Sequence, residues 1–325
     1  MYSPLELSTA LIMTLFSAVF WGSWANTYKG TKNYAFELFY WDYIVGVVLC
    51  CLGFAFTLGS TGSHGESFLL NVRTADGSNI IWALLGGFIF NIANLLLVAG
   101  IAIAGLAIAF PIAIGIAVVE GVVLSYVLQP KGNAVYLAIG VFLACLAIIC
   151  DALAYKRLGG SEKVSRKGIA VSVISGLLMG AFAPFVTRSL TSGYTLTPYS
   201  VAVFFSLGAL LCCFVVNPYL MKHPLLGEPI SFSGFRKASG KNHLLGLLGG
   251  IIWGFGGCFN FIAAGFVGVP ISYAIGQSAP MIAALWGVLV WREFRGADNK
   301  AWGYLGLMFL AYLAAIATIA LAYKS

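Results

Sequence analysis

Apolar runs of about 20 residues alternate along this chain with short polar clusters, and a helix rising 1.5 Å per residue makes each run long enough to cross roughly 30 Å of hydrocarbon. Reading from cluster to cluster gives ten spans, at approximately 7–28, 38–58, 79–100, 104–128, 133–154, 168–189, 197–218, 243–265, 269–291 and 301–322. Some links are very short. Ala102 to Gly105 and Gly265 to Gly268 offer only a few small residues, so they join antiparallel neighbours. The expected fold is therefore an all-α membrane protein of ten transmembrane helices.

Composition leaves little room for anything else. Of 325 residues, 60% are hydrophobic and 9% charged, and the mean hydropathy is +0.94. A water-soluble domain of this length needs a charged coat that these residues cannot supply. The seven cysteines lie in or at the ends of apolar runs without metal-ligand spacing, and read as small packing residues. Glu6 precedes the first span and no basic region does, so that span reads as a retained helix.

The net charge of +7 reads as orientation in such a chain, not as a nucleic-acid footprint. With the ten spans in place, 14 Lys and Arg fall on one side, among them Lys29, Lys156, Arg157, Lys163, Arg236 and Arg292, and 4 on the other: Arg73, Lys131, Arg188 and Lys324. Cytoplasmic loops are enriched in basic residues. Both termini are accordingly expected outside the cytoplasm.

The two halves resemble one another. Leu84-Leu-Gly-Gly-Phe-Ile recurs 163 residues later as Leu247-Leu-Gly-Gly-Ile-Ile, and the same offset pairs Gly105 with Gly268 and Gly140 with Gly303. The expected division is a first five-helix repeat at 1–154, a cytoplasmic linker at 155–167 and a second repeat at 168–325. Five is odd, so the second copy is inverted relative to the first, an architecture of secondary transporters.

Charged side chains in hydrocarbon are costly and usually face a cavity or a partner. Glu120, among Ala113, Ile116 and Ala117, is the one carboxylate well inside a span. It reads either as a proton-exchanging group or as a protonated structural donor between helices. Asp42, early in the second span, reads as a group serving free helix N–H donors or as one facing a cavity mouth, where it joins Glu120 as a candidate for proton coupling. Asp151 and Arg188 are expected at the membrane interface. Amides and aromatics on shared stripes outline a solute site: Asn26 in the first helix, Asn91 and Asn94 in the third, Trp253 and Asn260 in the eighth, Tyr273 and Gln277 in the ninth. Amides suit a neutral hydrogen-bonding solute, and an indole suits a flat one. Each of these residues also has a plain reading as glue between helices.

No nucleophile constellation, phosphate-binding loop or zinc motif is present, and His64, His223 and His243 lie in or beside loops. An enzyme is not expected, nor a cofactor or metal.

Phe20-Trp-Gly-Ser-Trp, Trp41-Asp-Tyr and the paired Gly-Gly helices, in a five-plus-five layout, resemble the drug/metabolite transporter (DMT, EamA-like) superfamily. Within it, nearly the whole chain is similar to the ureide permease and glucose/ribose/rhamnose uptake branches. Gly22-Ser-Trp, Tyr40-Trp-Asp-Tyr, Gly86-Gly-Phe-Ile-Phe-Asn-Ile-Ala-Asn, Leu124-Ser-Tyr, Gly254-Phe-Gly-Gly and Trp286-Gly-Val-Leu-Val-Trp-Arg-Glu-Phe-Arg carry the ureide permease likeness. The resemblance implies secondary active uptake, coupled to protons or Na+, of a small neutral metabolite such as allantoin or uracil. Sugar import is the near alternative; drug export and a non-transporting scaffold are remoter ones. The family's long central loop is replaced here by about Tyr155 to Lys167, and the likeness assigns no role to Glu120. The short loops fit a bacterial inner-membrane protein, expected as a monomer.

Overall fold

The computed structural model describes residues 1–158 and 165–323, and all regular structure among them is helical. In chain order the helices are α1 (Leu7–Ser23), α2 (Ala25–Lys29), α3 (Phe36–Phe56), α4 (Phe68–Thr74), α5 (Gly77–Ala104), α6 (Leu106–Leu128), α7 (Ala134–Arg157), α8 (Arg166–Thr191), α9 (Pro198–Lys222), α10 (Ser233–Lys237), α11 (Gly240–Val267), α12 (Val269–Gly276), α13 (Ala279–Leu289) and α14 (Asn299–Leu321). Among the described residues, 9 helices, with α1 and α2 counted as one, are long and apolar enough to cross a membrane. The chain is a multi-pass integral membrane protein.

The expected span 269–291 is not one helix. It is α12 and α13, interrupted at Gln277 and Ser278. Pro280 has no N–H to return to the carbonyl of Gly276 four residues earlier, so the helical ladder cannot be completed across this point. Two short helices, α4 and α10, occupy stretches expected to be loops, at 59–78 and 219–242. Part of the expected linker 155–167 lies outside the described residues, as do Lys163 and Lys324.

Five of the nine spanning helices among the described residues start on a side-chain cap. Asn133, Ser165, Thr197, Ser239 and Asp298 each cap the helix that follows by accepting from a first-turn backbone N–H. Gly105 and Gly268 are single-residue joints, with φ/ψ of 78/158 and 89/153. Both lie in a positive-φ region that a Cβ disfavours. They reverse the chain between α5 and α6 and between α11 and α12.

Helices pack through glycine, since in lipid close backbone approach replaces the hydrophobic drive between helices. Gly46 of α3 lies against the backbone of Leu247 and Gly250 on α11, and Gly250 against the carbonyl of Tyr43. On the neighbouring pair, Gly208 of α9 lies against the carbonyl of Leu84 on α5, and Gly87 against that of Phe205. Further pairs are α5 with α8, α6 with α8, α1 with α11, and α7 with α14.

Bonds across the bundle define its two ends. Lys29–Glu293, Arg157–Asp298, Lys32–Asn242 and Lys167–Leu225 lie at one, here called the basic end. At the other, the N-terminal amine meets the His64 carbonyl, Asp76 accepts from the N–H of Tyr194, and the N–H of Asn133 meets the carbonyl of Ala322. Lys131 also sits at this opposite end, its ammonium on the carbonyl of Phe266 near the C-terminus of α11; burial holds its pKa below the usual lysine value.

Asp151, expected at the membrane interface, is buried within the protein on α7, and its Oδ1 has no hydrogen-bond partner among the described residues. Arg188 does reach the surface, stacked over the Trp82 ring at 5.8 Å.

Candidate solute-binding cavity

A cavity of about 650 Å³ lies inside the bundle and reaches the basic end. Its deep wall is aromatic. Trp21 of α1 and Trp253 of α11 stack at 5.8 Å and 23°, Phe90 of α5 lies 4.9 Å from the Trp253 ring, and Phe205 of α9 stacks on it at 6.3 Å and 10°. The rims of flat rings leave a slot suited to a flat solute.

Four of the expected solute residues line this space: Asn26, Asn94, Trp253 and Gln277. Gln277 stands at the break between α12 and α13, and its amide makes no hydrogen bond to a described residue. The indole N–H of Trp253 is likewise without a partner. Asn94 donates from Nδ2 to the Tyr40 hydroxyl at 3.0 Å, which leaves Oδ1 unengaged. Asn26 is more committed: it donates to the Ser23 carbonyl at 2.9 Å and accepts from the indole N–H of Trp291 at 2.6 Å.

The other three do not line the cavity. Asn91 accepts from the Tyr40 hydroxyl at 2.8 Å, so Asn91 and Asn94 hold one phenol between them and only Asn94 reaches the cavity. Asn260 donates to the Ser272 carbonyl at 2.9 Å and to Ser17 Oγ at 3.3 Å, tying α11 to α12 and α1. The Tyr273 hydroxyl donates to the carbonyls of Ala117 and Met179, at 3.1 and 3.3 Å, tying α12 to α6 and α8.

Neither expected proton-coupling carboxylate lines it either. Glu120 packs against Gly180 of α8, with Oε2 buried and unpartnered. Asp42 is buried where α3 meets α11 and is not a helix cap, since Ala35 holds that position. Its Oδ2 accepts from the Tyr34 hydroxyl at 2.7 Å, and both oxygens meet Nδ1 of His243, at 3.0 and 2.9 Å. Burial first, and then this bond to Asp42, push the Tyr34 phenol up from its ordinary value, so it remains a donor.

The mouth is built from residues that the sequence reading did not single out as site residues. Lys29 Nζ meets Glu293 Oε1 at 2.6 Å, the Tyr155 hydroxyl donates to Glu293 Oε2 at 3.0 Å, and Lys29 also lies 5.0 Å from the Trp291 ring centroid. Glu293 follows Arg292, whose φ of 54 turns the chain sharply after α13. These partners are 264 and 138 residues apart, and no local spacing brings them together.

A multi-pass helical bundle enclosing a cavity that opens at one end, with aromatic walls and a few free hydrogen-bonding atoms, is the construction of a small-molecule transporter. Residues 153–322, just over half of the chain, match the family model described as ureide permease, and the chain belongs to that family. Among its relatives, Ureide permease 1 of Arabidopsis thaliana is 20% identical over 98% of both chains. Probable ureide permease A3 of Vigna unguiculata is 23% identical over 81% of this chain and 89% of its own. One solved crystal structure is similar at a TM-score of 0.68 and 15% identity over 98% of both chains, a likeness of fold.

Proposed function

We propose that this protein imports a small, neutral, planar ureide or nucleobase, of the kind of allantoin or uracil, in symport with protons. The carrying observation is the set of unengaged polar atoms in a largely apolar, aromatic-walled slot: the Gln277 amide, the Trp253 N–H and Asn94 Oδ1. A ureide offers alternating N–H and C=O groups on a flat frame. Gln277 serves one of each, Trp253 serves a carbonyl, and Asn94 serves an N–H. Asn26 borders the solute, while Asn91, Asn260 and Tyr273 hold the elements that present it. The names of the relatives support the same solute class.

The layout supports a carrier of two inverted halves, 1–154 and 168–325, within the drug/metabolite transporter superfamily. Leu84 and Gly87 make to α9 the same contacts that Leu247 and Gly250, 163 positions later, make to α3, and the joints Gly105 and Gly268 share one backbone conformation. The basic end is cytoplasmic by its excess of Lys and Arg, which leaves both termini outside and the cavity open inward. The working unit is a monomer in a bacterial inner membrane.

Uptake of labelled allantoin, uracil, glucose and ribose into proteoliposomes, with and without an inward proton gradient, tests the reading. Gradient-dependent accumulation of a ureide or nucleobase is expected. Accumulation of sugars alone overturns it. Solutes that bind also raise the unfolding temperature in detergent.

A further inference from the structure

Among the described residues, three carboxylates on the spanning helices lie beyond the first and last turns, and their surroundings differ in kind. Glu120 has Gly180 and Tyr273 as neighbours, with no imidazole, amine or guanidinium among its contacts. Asp151 is enclosed near Tyr155, Tyr312 and Cys150, and it makes no bond to a basic group among the described residues. Asp42 alone among the three is hydrogen-bonded to a base, through Nδ1 of His243.

The pair also spans the boundary between water and the protein interior. The His243 side chain is 27% exposed and that of Asp42 9%. Nδ1 is held by the carboxylate, while Nε2 has no partner among the described residues. Phe235 and Tyr34 stand edge-on to the imidazole at 4.6 and 5.7 Å and fix its plane. Of the charged groups nearby along the chain, Lys32, Arg236, Lys237 and Lys241 are exposed and Glu37, in the first turn of α3, is half-buried; none of their side chains bonds to the pair. From the elements packed around it, Tyr34 is the one other titratable group bonded to Asp42.

We infer that Asp42 and His243 form the proton-binding site of this transporter. This rests on the proposed proton symport and names the residues that perform it. A proton from water is taken at Nε2, the ring hands its Nδ1 proton to the Asp42 carboxylate, and the same transfers run backward on release, so charge and protons balance. The site acts on the cavity through α11. Gly246 lies on the Asp42 side chain, and Gly249 on Thr27 of α2. Two turns from Gly246 the helix carries Trp253, and α2 carries Asn26 and Lys29 into the cavity wall. Gain or loss of charge between α3 and α11 is therefore felt by both elements that border the solute.

The test uses purified full-length protein, wild type and the variants His243→Gln, Asp42→Asn and Glu120→Gln, in proteoliposomes with labelled allantoin. With His243→Gln and Asp42→Asn, accumulation driven by a pH gradient is expected to fall to the level seen without a gradient, while solute-for-solute exchange persists. Glu120→Gln is expected to keep both. Gradient-driven accumulation that survives His243→Gln, or that is lost in Glu120→Gln alone, overturns the assignment. A second arm needs no solute: the unfolding temperature in detergent is followed between about pH 5 and 8, where imidazoles titrate. A pH-dependent step present in the wild type and in Glu120→Gln, and absent from His243→Gln, is expected; the same profile in all of them overturns the site. If the wild type carries no allantoin at all, the solute reading fails, and this arm still decides the proton site.

Discussion

The join of α6 to α8 and the join of α12–α13 to α1 occupy matching places in the chain. Ile114 and Gln277 are 163 residues apart and both line the cavity; Glu120 and Ala283 are 163 apart and each meets a glycine of the facing helix, Gly180 or Gly22. The two joins differ in one respect. Around Ile114 the helix is continuous and presents an alkyl side chain, whereas at Gln277 it is interrupted and presents an amide. The carboxylate on the continuous side is turned away from the cavity, and its counterpart Ala283 lines it. At this pair of joins, the polar group that reaches the cavity comes with a broken helix and not with a buried charge. The solute's hydrogen-bonding edge is expected toward α12–α13, and its flat or apolar face toward α6.

The largest expected effect concerns the two glycines. A methyl at Gly22 meets the backbone carbonyl of Ala279, which cannot yield, so Gly22→Ala should cost on the order of 1–3 kcal/mol of stability as overpacking does. At Gly180 the nearest obstacle is the Cβ of Glu120, which no rotamer can move, so Gly180→Ala should also cost on the order of 1–3 kcal/mol. Thermal unfolding in detergent measures both; a cost near zero at either glycine would mean that its join is looser than these contacts require.

Next comes the amide. Gln277→Leu should weaken ureide binding about tenfold, the equivalent of roughly 1.4 kcal/mol for hydrogen bonds lost in a dry slot. Ile114→Val should stay within about twofold, since it removes one methylene from an apolar wall. Titration by intrinsic fluorescence compares them, and an equal loss would mean that the solute does not distinguish the two walls. Pro280→Ala restores an N–H opposite the Gly276 carbonyl and lets the helix close. Transport is expected to fall while the unfolding temperature holds or rises, the opposite of a simple packing defect. The smallest effect is at Glu120, where Glu120→Gln should leave proton-driven uptake within about twofold, because that side chain borders neither the cavity nor a basic partner.

Much of this bundle was legible in the chain because lipid imposes one rule, that every span bury its own backbone bonds, and long apolar runs obey it visibly. Spans and most ends followed, and the capping residues Asn133, Ser165, Thr197, Ser239 and Asp298 stand where the helices begin. The ninth span reads as whole because its hydropathy is unbroken, although Gly276 and Pro280 already carry the interruption. Polar stripes indicated faces but not what stands opposite them. Asn94 and Gln277 look into the cavity, while Asn91 and Asn260 meet other helices. Pairs such as Asp42 with His243, 201 positions apart, exist only once α3 and α11 lie side by side, and a histidine near a helix start reads locally as a loop residue.

The joints at Gly105 and Gly268 have a consequence for how such a chain can change in length. A single residue separates α5 from α6 and α11 from α12, and one residue added to a helix turns everything beyond it by about 100°. Neither corner can absorb an insertion without rotating Ile114 or Gln277 off the cavity wall. The connections at 57–67 and 223–231 have no such register to keep. Relatives of different length should differ at such connections and agree to the residue at both corners, and an epitope or fluorescent tag spliced at Gly227 should leave transport intact where one at Gly268 abolishes it.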